Sequence, residues 1–151
     1  MPSERAVRVH VTGATGFLGT ELVRLAPAAT RERVDVRDRS AFSALLERIR
    51  PDVVIHCAGY TAVDRAESEP EMARLLNGEG TRNVARACRE RGYEYLALTD
   101  HSPALAMIRG LDAKKLRLQW KEIAAVQKKV PGIAILRSLE VDIHADGTLD
   151  M

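Results

Sequence analysis

Aromatic side chains are scarce. They make up 4% of the 151 residues, so Val, Leu, Ile and Ala must build any core. No apolar run reaches the roughly 20 residues of a membrane-spanning helix, and no membrane partner is expected. No apolar segment follows Met1-Pro2-Ser3-Glu4-Arg5, which argues against a signal peptide. There are only two cysteines, Cys57 and Cys88. Reduced, buried thiols in a cytoplasmic setting fit that number better than a disulfide. Neither sign of charge dominates: 23 Lys and Arg face 21 Asp and Glu, for a net +2. Without a basic stripe, no nucleic-acid partner is expected. What is present, 46% hydrophobic and 29% charged residues, is the balance of a soluble globular chain, and the length fits a single domain, residues 1–151.

Strand and helix signals alternate. Val7 to Thr12 reads as a strand, and Phe17 to Ala26 as a helix carrying Leu18, Leu22 and Leu25 on one face until Pro27 stops it. Val34-Asp35-Val36 is long enough only for a very short strand. Ser40 offers an N-cap to a helix with Phe42, Leu45, Leu46 and Ile49 at helical spacing, closed by Pro51. Asp52 to Cys57 is a continuous apolar run suited to a strand buried on both faces. Ser68-Glu69-Pro70-Glu71 has the form of a capping box ahead of a helix that ends at Gly92, with Gly78 and Gly80 placed in it for close packing. Tyr93 to Thr99 and Gly132 to Leu136 read as strands around a helix capped by Asp112 that presents Leu116, Trp120 and Ile123. Glu140 to Ile143 extends into a C-terminal β-hairpin about Asp146-Gly147. The alternation implies an α/β fold of three layers, α/β/α, with a mostly parallel five-stranded sheet.

The segment Thr12-Gly13-Ala14-Thr15-Gly16-Phe17-Leu18-Gly19 stands between a strand and a helix. Glycines there allow a tight turn and close approach of a pyrophosphate, which the helix N-terminus then meets with N–H donors. The competing interpretation is a glycine-rich turn that binds nothing.

Residues 7–88 resemble the extended short-chain dehydrogenases, and among them the dTDP-4-dehydrorhamnose reductases. The resemblance rests on the glycine loop, on Arg50-Pro51-Asp52-Val53-Val54-Ile55-His56-Cys57-Ala58, on Tyr60 to Glu71, and on Asn77 with Gly80-Thr81-Arg82-Asn83-Val84. It implies that Gly13, Thr15, Gly16, Phe17, Leu18 and Gly19 hold a cofactor pyrophosphate, that Asp35 and Val36 meet the adenine, and that Ala58 and Gly59, with Cys57, lie beside the ribose and nicotinamide. Two features depart from the family. Only Ala28 to Arg33 separate Pro27 from Val34, too few for a full second strand. Asp35 or Asp38 could then read the ribose, and Arg31 or Arg33 a 2′-phosphate, although arginines on a solvated turn are the plainer interpretation. The family's Ser or Thr, Tyr and Lys are matched only by Thr99, since no tyrosine follows Tyr95.

From about residue 90 the resemblance changes. Arg91 to Ala104, Gly110-Leu111 with the Leu116 to Ile123 helix, Ser138 to Ile143 and Ala145 to Asp150 are similar to the PHP (polymerase and histidinol phosphatase) domain of bacterial family X DNA polymerases. That family's metal ligands map onto His101 and Glu140. No HxH motif accompanies them, so a vestigial site is expected.

Together the two resemblances imply an engineered or recombined chimera, with residues 1–90 and 91–151 of different origin. The expectation is a chain without catalytic residues or evolved activity, requiring no cofactor, with weak NAD(P) binding retained. The alternative is an NAD(P)-binding oxidoreductase acting on a nucleotide sugar. Loss of the second strand predicts that Val34–Val36 pairs with the first strand, giving the flavodoxin-like order 2-1-3-4-5, and a truncated sheet edge open to self-association.

Overall fold

The computed structural model describes residues 5–103 and 110–150, so Met1 to Glu4 and Ala104 of the sequence motifs lie outside the described residues. The chain divides into two compact units, Met1–Arg91 and Gly92–Met151, at the junction between the two resemblances.

In the first unit, β1 (Val9–Thr12) pairs in parallel with β2 (Val53–His56), with Val9 opposite Val53 and Thr12 opposite His56. Asp52 ties the starts of the two strands together. Its carboxylate accepts the Arg8 amide at 2.8 Å and the Arg5 guanidinium at 2.5 Å. The Arg8 contacts, ahead of Arg5, hold its pKa down at about 2. Every residue of β2 is half-buried, so this unit does not cover it on both faces as its apolar run suggested.

Helix α1 (Phe17–Leu25) ends one residue early, with Ala26 as its C-cap. Its buried positions are Gly19 and Val23, whereas Leu18 and Leu25 are exposed. The leucine stripe is thus not the inner face, because Gly19 is the residue that sits against the loop before the helix.

The expected pairing of Val34–Val36 with β1 is not formed. Thr30 takes that edge: its amide donates to Val9 O at 2.8 Å, and Val11 N donates to Thr30 O at 3.0 Å. After Pro27 the chain turns back within three residues, which brings Thr30 to β1 first. Val36 instead enters the main core with Phe42, Leu45, Leu46, Val84 and Ala87. Full burial of Phe42 and Leu46 is worth about 1.5–3 kcal/mol per side chain.

Helix α2 (Arg39–Ile49) is capped by Asp38, whose carboxylate accepts Ala41 N at 2.9 Å, rather than by Ser40. It ends at Arg50, held at φ 45°. Pro51 disfavours a right-handed helical conformation at the residue before it.

A helix not expected, α3 (Val63–Ser68), comes first, and the expected single helix before Gly92 is broken into α4 (Pro70–Ala73), a π-helical stretch (Arg74–Gly80) and α5 (Thr81–Glu90). The capping box is not made. Ser68 Oγ donates to Arg65 O, and Glu71, the acid three residues on, is taken up by Arg74. A Cβ at Gly80 would lie 2.7 Å from Val36 Cγ2, so packing does require that glycine; nothing crowds Gly78.

In the second unit, β3 (Tyr95–His101) and β4 (Ala134–Glu140) are parallel, with Tyr95 opposite Ala134 and His101 opposite Glu140. Helix α6 (Ala113–Gln127) connects them, capped by Asp112 through Lys115 N at 2.8 Å. Gln127 then joins helix to strand, accepting Ile135 N at 2.6 Å and donating to Ile133 O at 2.8 Å. The expected hairpin is present as one antiparallel bridge, Ile143 to Leu149, around Asp146-Gly147.

The fold is α/β. Its described strands pair as two two-stranded parallel sheets, β1–β2 and β3–β4, in place of the single five-stranded sheet expected.

Candidate functional site

A cleft of about 180 Å³ opens at the C-terminal end of β1. Val11 to Thr15 form one wall, Arg31 to Val34 another, and Ala58 closes the end. The ends of parallel strands are where open α/β sheets place ligands.

The glycine loop fits its role by exclusion. Gly13 has φ 65°, and a Cβ there would come within 2.6 Å of Ala58 N. A Cβ at Gly19 would come within 2.3 Å of Gly13 O. The loop is therefore wedged between the exit of β2 and the first turn of α1, and only bare backbone satisfies both approaches. Gly16 N donates to Gly13 O at 2.9 Å, closing the turn. Gly16 is also the N-cap of α1, with no side-chain cap bond and no acid in the first turn. The positive end of the helix dipole is left for an anion.

Behind the loop lies a polar strut. Thr12 Oγ1 is 2.7 Å from His56 Nδ1, and His56 Nε2 is 3.1 Å from Thr81 Oγ1. Ala58 N donates to Thr12 Oγ1 at 3.4 Å. Burial holds the His56 pKa below its ordinary value, so the ring is neutral and bonded at both nitrogens.

Of the cofactor residues expected from the sequence, Gly13, Thr15 and Ala58 line the cleft. Gly16 and Gly19 shape the loop. Phe17 and Leu18 open α1 with their side chains in solvent, Phe17 being 95% exposed. Gly59 follows Ala58, 3.2 Å short of Asn77 Oδ1 were it to carry a Cβ. Asp35 and Val36 do not line the cleft. The Asp35 carboxylate accepts Arg37 N at 2.9 Å and the Arg37 guanidinium at 2.6 Å, and those bonds hold its pKa down. Val36 is a core side chain, 2% exposed.

Arg31, Glu32, Arg33 and Val34 take the wall instead. Glu32 is gripped by Arg48 through two bonds, at 3.0 and 2.5 Å. Among the described residues neither Arg31 nor Arg33 makes an ion pair. Sequence reasoning reached the two arginines only as an alternative and missed Glu32 and Val34. The signal lay in the short return after Pro27, which moves this segment to the edge of β1.

In the second unit, His101 Nδ1 lies 3.7 Å from Glu140 Oε2, as neighbours across the parallel register. No third His, Cys, Asp or Glu joins them in a metal-binding group among the described residues. Asp100 is bonded to Gln119. No helix among the described residues is long and apolar enough to cross a membrane.

A family model described as the RmlD substrate binding domain matches residues 7–100. The chain is 45% identical over 96 residues to a dTDP-4-dehydrorhamnose reductase of Streptomyces griseus, covering 59% of this chain and 32% of that protein. It is 46% identical over 69 residues to the DNA polymerase/3′-5′ exonuclease PolX of Bacillus subtilis strain 168, covering 46% of this chain and 12% of that protein. Among solved structures, a dTDP-4-dehydrorhamnose reductase of Bacillus anthracis str. Ames in complex with NADP matches with a TM-score of 0.59 and 25% identity, over 91% of this chain and 55% of that one. The UDP-glucose 4-epimerase of Thermus thermophilus, with NAD, has a TM-score of 0.62 at 21% identity, over 87% of this chain and 54% of that one, and supports the fold alone. The chain spans about a third of the length of the curated reductases it matches.

These findings correct two expectations. A recombined scaffold without catalytic activity, and a chain that is no enzyme, are overturned by the family match and by relatives that are named as reductases. The expectation that no cofactor is required finds no support beside a neighbour solved with NADP.

Proposed function

Because the chain belongs, through residues 7–100, to the RmlD substrate binding domain family, we propose that it serves an NAD(P)-dependent reductase of nucleotide sugars and binds the dinucleotide in the β1 cleft. The observation that carries this reading is the glycine loop, where Gly13 and Gly19 leave room only for backbone at the mouth of α1. The Gly13–Gly19 backbone and the uncapped start of α1 receive the pyrophosphate. Phe17 and Leu18 flank it, and Thr15 lines the approach. Ala58 and Gly59 border the nicotinamide ribose. Arg31 and Arg33 favour a 2′-phosphate, hence NADPH, since Asp35 is already satisfied by Arg37. When bound, the nicotinamide supplies a hydride to a sugar carbonyl. This chain's own residues bind and orient the cofactor, and Thr12, His56 and Thr81 hold the wall beside it.

Calorimetric titration with NADPH and NADH, in metal-free buffer, tests the reading. Saturable binding of NADPH that is lost in Gly16→Val supports it. No heat up to millimolar cofactor overturns it. Loss of NADPH absorbance on adding a dTDP-4-keto sugar is the corresponding test of turnover.

A second reading concerns ancestry. The division at Arg91–Gly92 and the similarity to PolX favour a chain joined there from two sources. On that reading His101 and Glu140 are remnants of a metal site, and the free edges of the short sheets are where copies would associate. Limited trypsin digestion should cut first near Arg89 or Arg91 and leave a fragment that binds NADPH.

A further inference from the structure

One wall of the cleft, where the proposed reading puts the adenosine, carries both signs of charge on three consecutive residues, Arg31, Glu32 and Arg33. An acid at this end of a dinucleotide site accepts the ribose hydroxyls, whereas arginine there accommodates a 2′-phosphate. Which of the two the site presents depends on what else holds the acid. Arg48, near the end of α2, forks onto both oxygens of Glu32, at 3.0 Å through Nη1 and 2.5 Å through Nη2. Planar two-point contacts of this kind fix a carboxylate in direction as well as neutralising it. Resting on the proposed cofactor reading, we propose that Arg48 is a specificity-determining residue: by holding Glu32 it leaves Arg31 and Arg33 to the 2′-phosphate and sets the preference for NADPH over NADH.

Both partners are surface side chains, 61% and 46% exposed. An ion pair so exposed contributes little to folding, so variants that break it are expected to keep the fold. Its effect on a ligand is larger. Once Arg48 is removed, Glu32 either repels the 2′-phosphate directly or turns to a neighbouring arginine and neutralises it. Either way NADPH loses, while a freed carboxylate gains a ribose hydroxyl from NADH.

The experiment is a fluorescence or calorimetric titration of NADPH and NADH against the full chain, at low ionic strength so that surface charges are not screened. The variants are Arg48→Met, Glu32→Gln and the double variant. Thermal unfolding of each confirms that the fold is kept. Arg48→Met is expected to reduce the NADPH-to-NADH affinity ratio by about tenfold, because it sets a free carboxylate against a phosphate. Adding Glu32→Gln to Arg48→Met should restore the preference for NADPH. A ratio unchanged within about twofold in Arg48→Met, with the wild type binding NADPH, overturns the role of Arg48 alone. Wild type that binds neither cofactor overturns the cofactor reading, and this inference with it.

Discussion

The Thr12 hydroxyl lies 2.7 Å from Nδ1 of His56, between register partners at the last positions of β1 and β2. Thr12 leads into the glycine loop, and His56 leads toward Ala58. The link therefore joins the two chain segments that meet at the cleft. The second His56 nitrogen carries it on to Thr81, at the start of α5.

His56→Phe keeps the ring and removes both hydrogen bonds. Two threonine hydroxyls are left without their partner, so unfolding in urea should show a loss of about 1–3 kcal/mol. NADPH affinity should fall with it, because Thr12 and Ala58 both line the cleft. His56→Gln, which can still reach Thr81, should recover part of the stability. Unchanged stability in the Phe variant would show that the strut contributes nothing.

Acid should destabilise the first unit through two imidazoles, His10 buried and His56 half-buried. His10 is fully buried, bonded to Thr30 through Nδ1 at 2.9 Å, with no partner at Nε2. Burial lowers the pKa of His10 and of His56 below the ordinary 6.5. The unfolded chain then binds protons that the folded chain does not, so stability rises with pH between the folded values and 6.5. It is fully present above 6.5 and is lost as the pH falls through the folded values. Urea unfolding across that range should show the slope, and His10→Phe should flatten part of it.

Much of this architecture was legible from local signals. The glycine loop, the stops at Pro27 and Pro51, the Asp112 cap and the strand–helix alternation depend on a few neighbouring residues, and the structure places each near its expected position. What failed depends on which of several competing partners a side chain finds in the folded chain. The capping box fails because Ser68 donates to Arg65 O and Glu71, the acid three residues on, is held by Arg74. Val36 is a core residue because Phe42 and Val84 surround it, and Asp35 is turned from the cleft by Arg37. The expectation of a chain without activity has a related cause. It rests on the absence of a tyrosine after Tyr95, whereas the family match extends through residues 7–100.

Gly13→Ala should separate binding from folding poorly, because it harms both. The new methyl would sit 2.6 Å from Ala58 N at φ 65°. Strain of this kind costs about 1–3 kcal/mol, and relief can come only by moving the loop or β2. The expected result is a lower unfolding midpoint and no detectable NADPH binding. Retention of wild-type affinity would mean that the loop is not the cradle.

Neither thiol should react readily in the native protein. Burial raises the Cys57 pKa and pushes Cys88 up to about 11, so the thiolate fraction near neutral pH is negligible. A disulfide-exchange reagent should label both slowly until denaturant is added. Rapid labelling of Cys88 at neutral pH would show that α5 opens freely from the core.

His101 and Glu140 provide the last test, since two adjacent ligands hold a metal only weakly. A site with a dissociation constant of about 1 mM, exposed to about 0.1 mM Mn²⁺ or Zn²⁺, gains only about 0.06 kcal/mol of stability from binding. That is too little to move a melting curve. Thermal unfolding with and without 0.1 mM metal (about a tenth of that constant) should therefore coincide, in wild type and in His101→Ala alike. A rise of several degrees that disappears in His101→Ala would require further ligands to join the pair. The site would then be a working metal centre rather than a remnant.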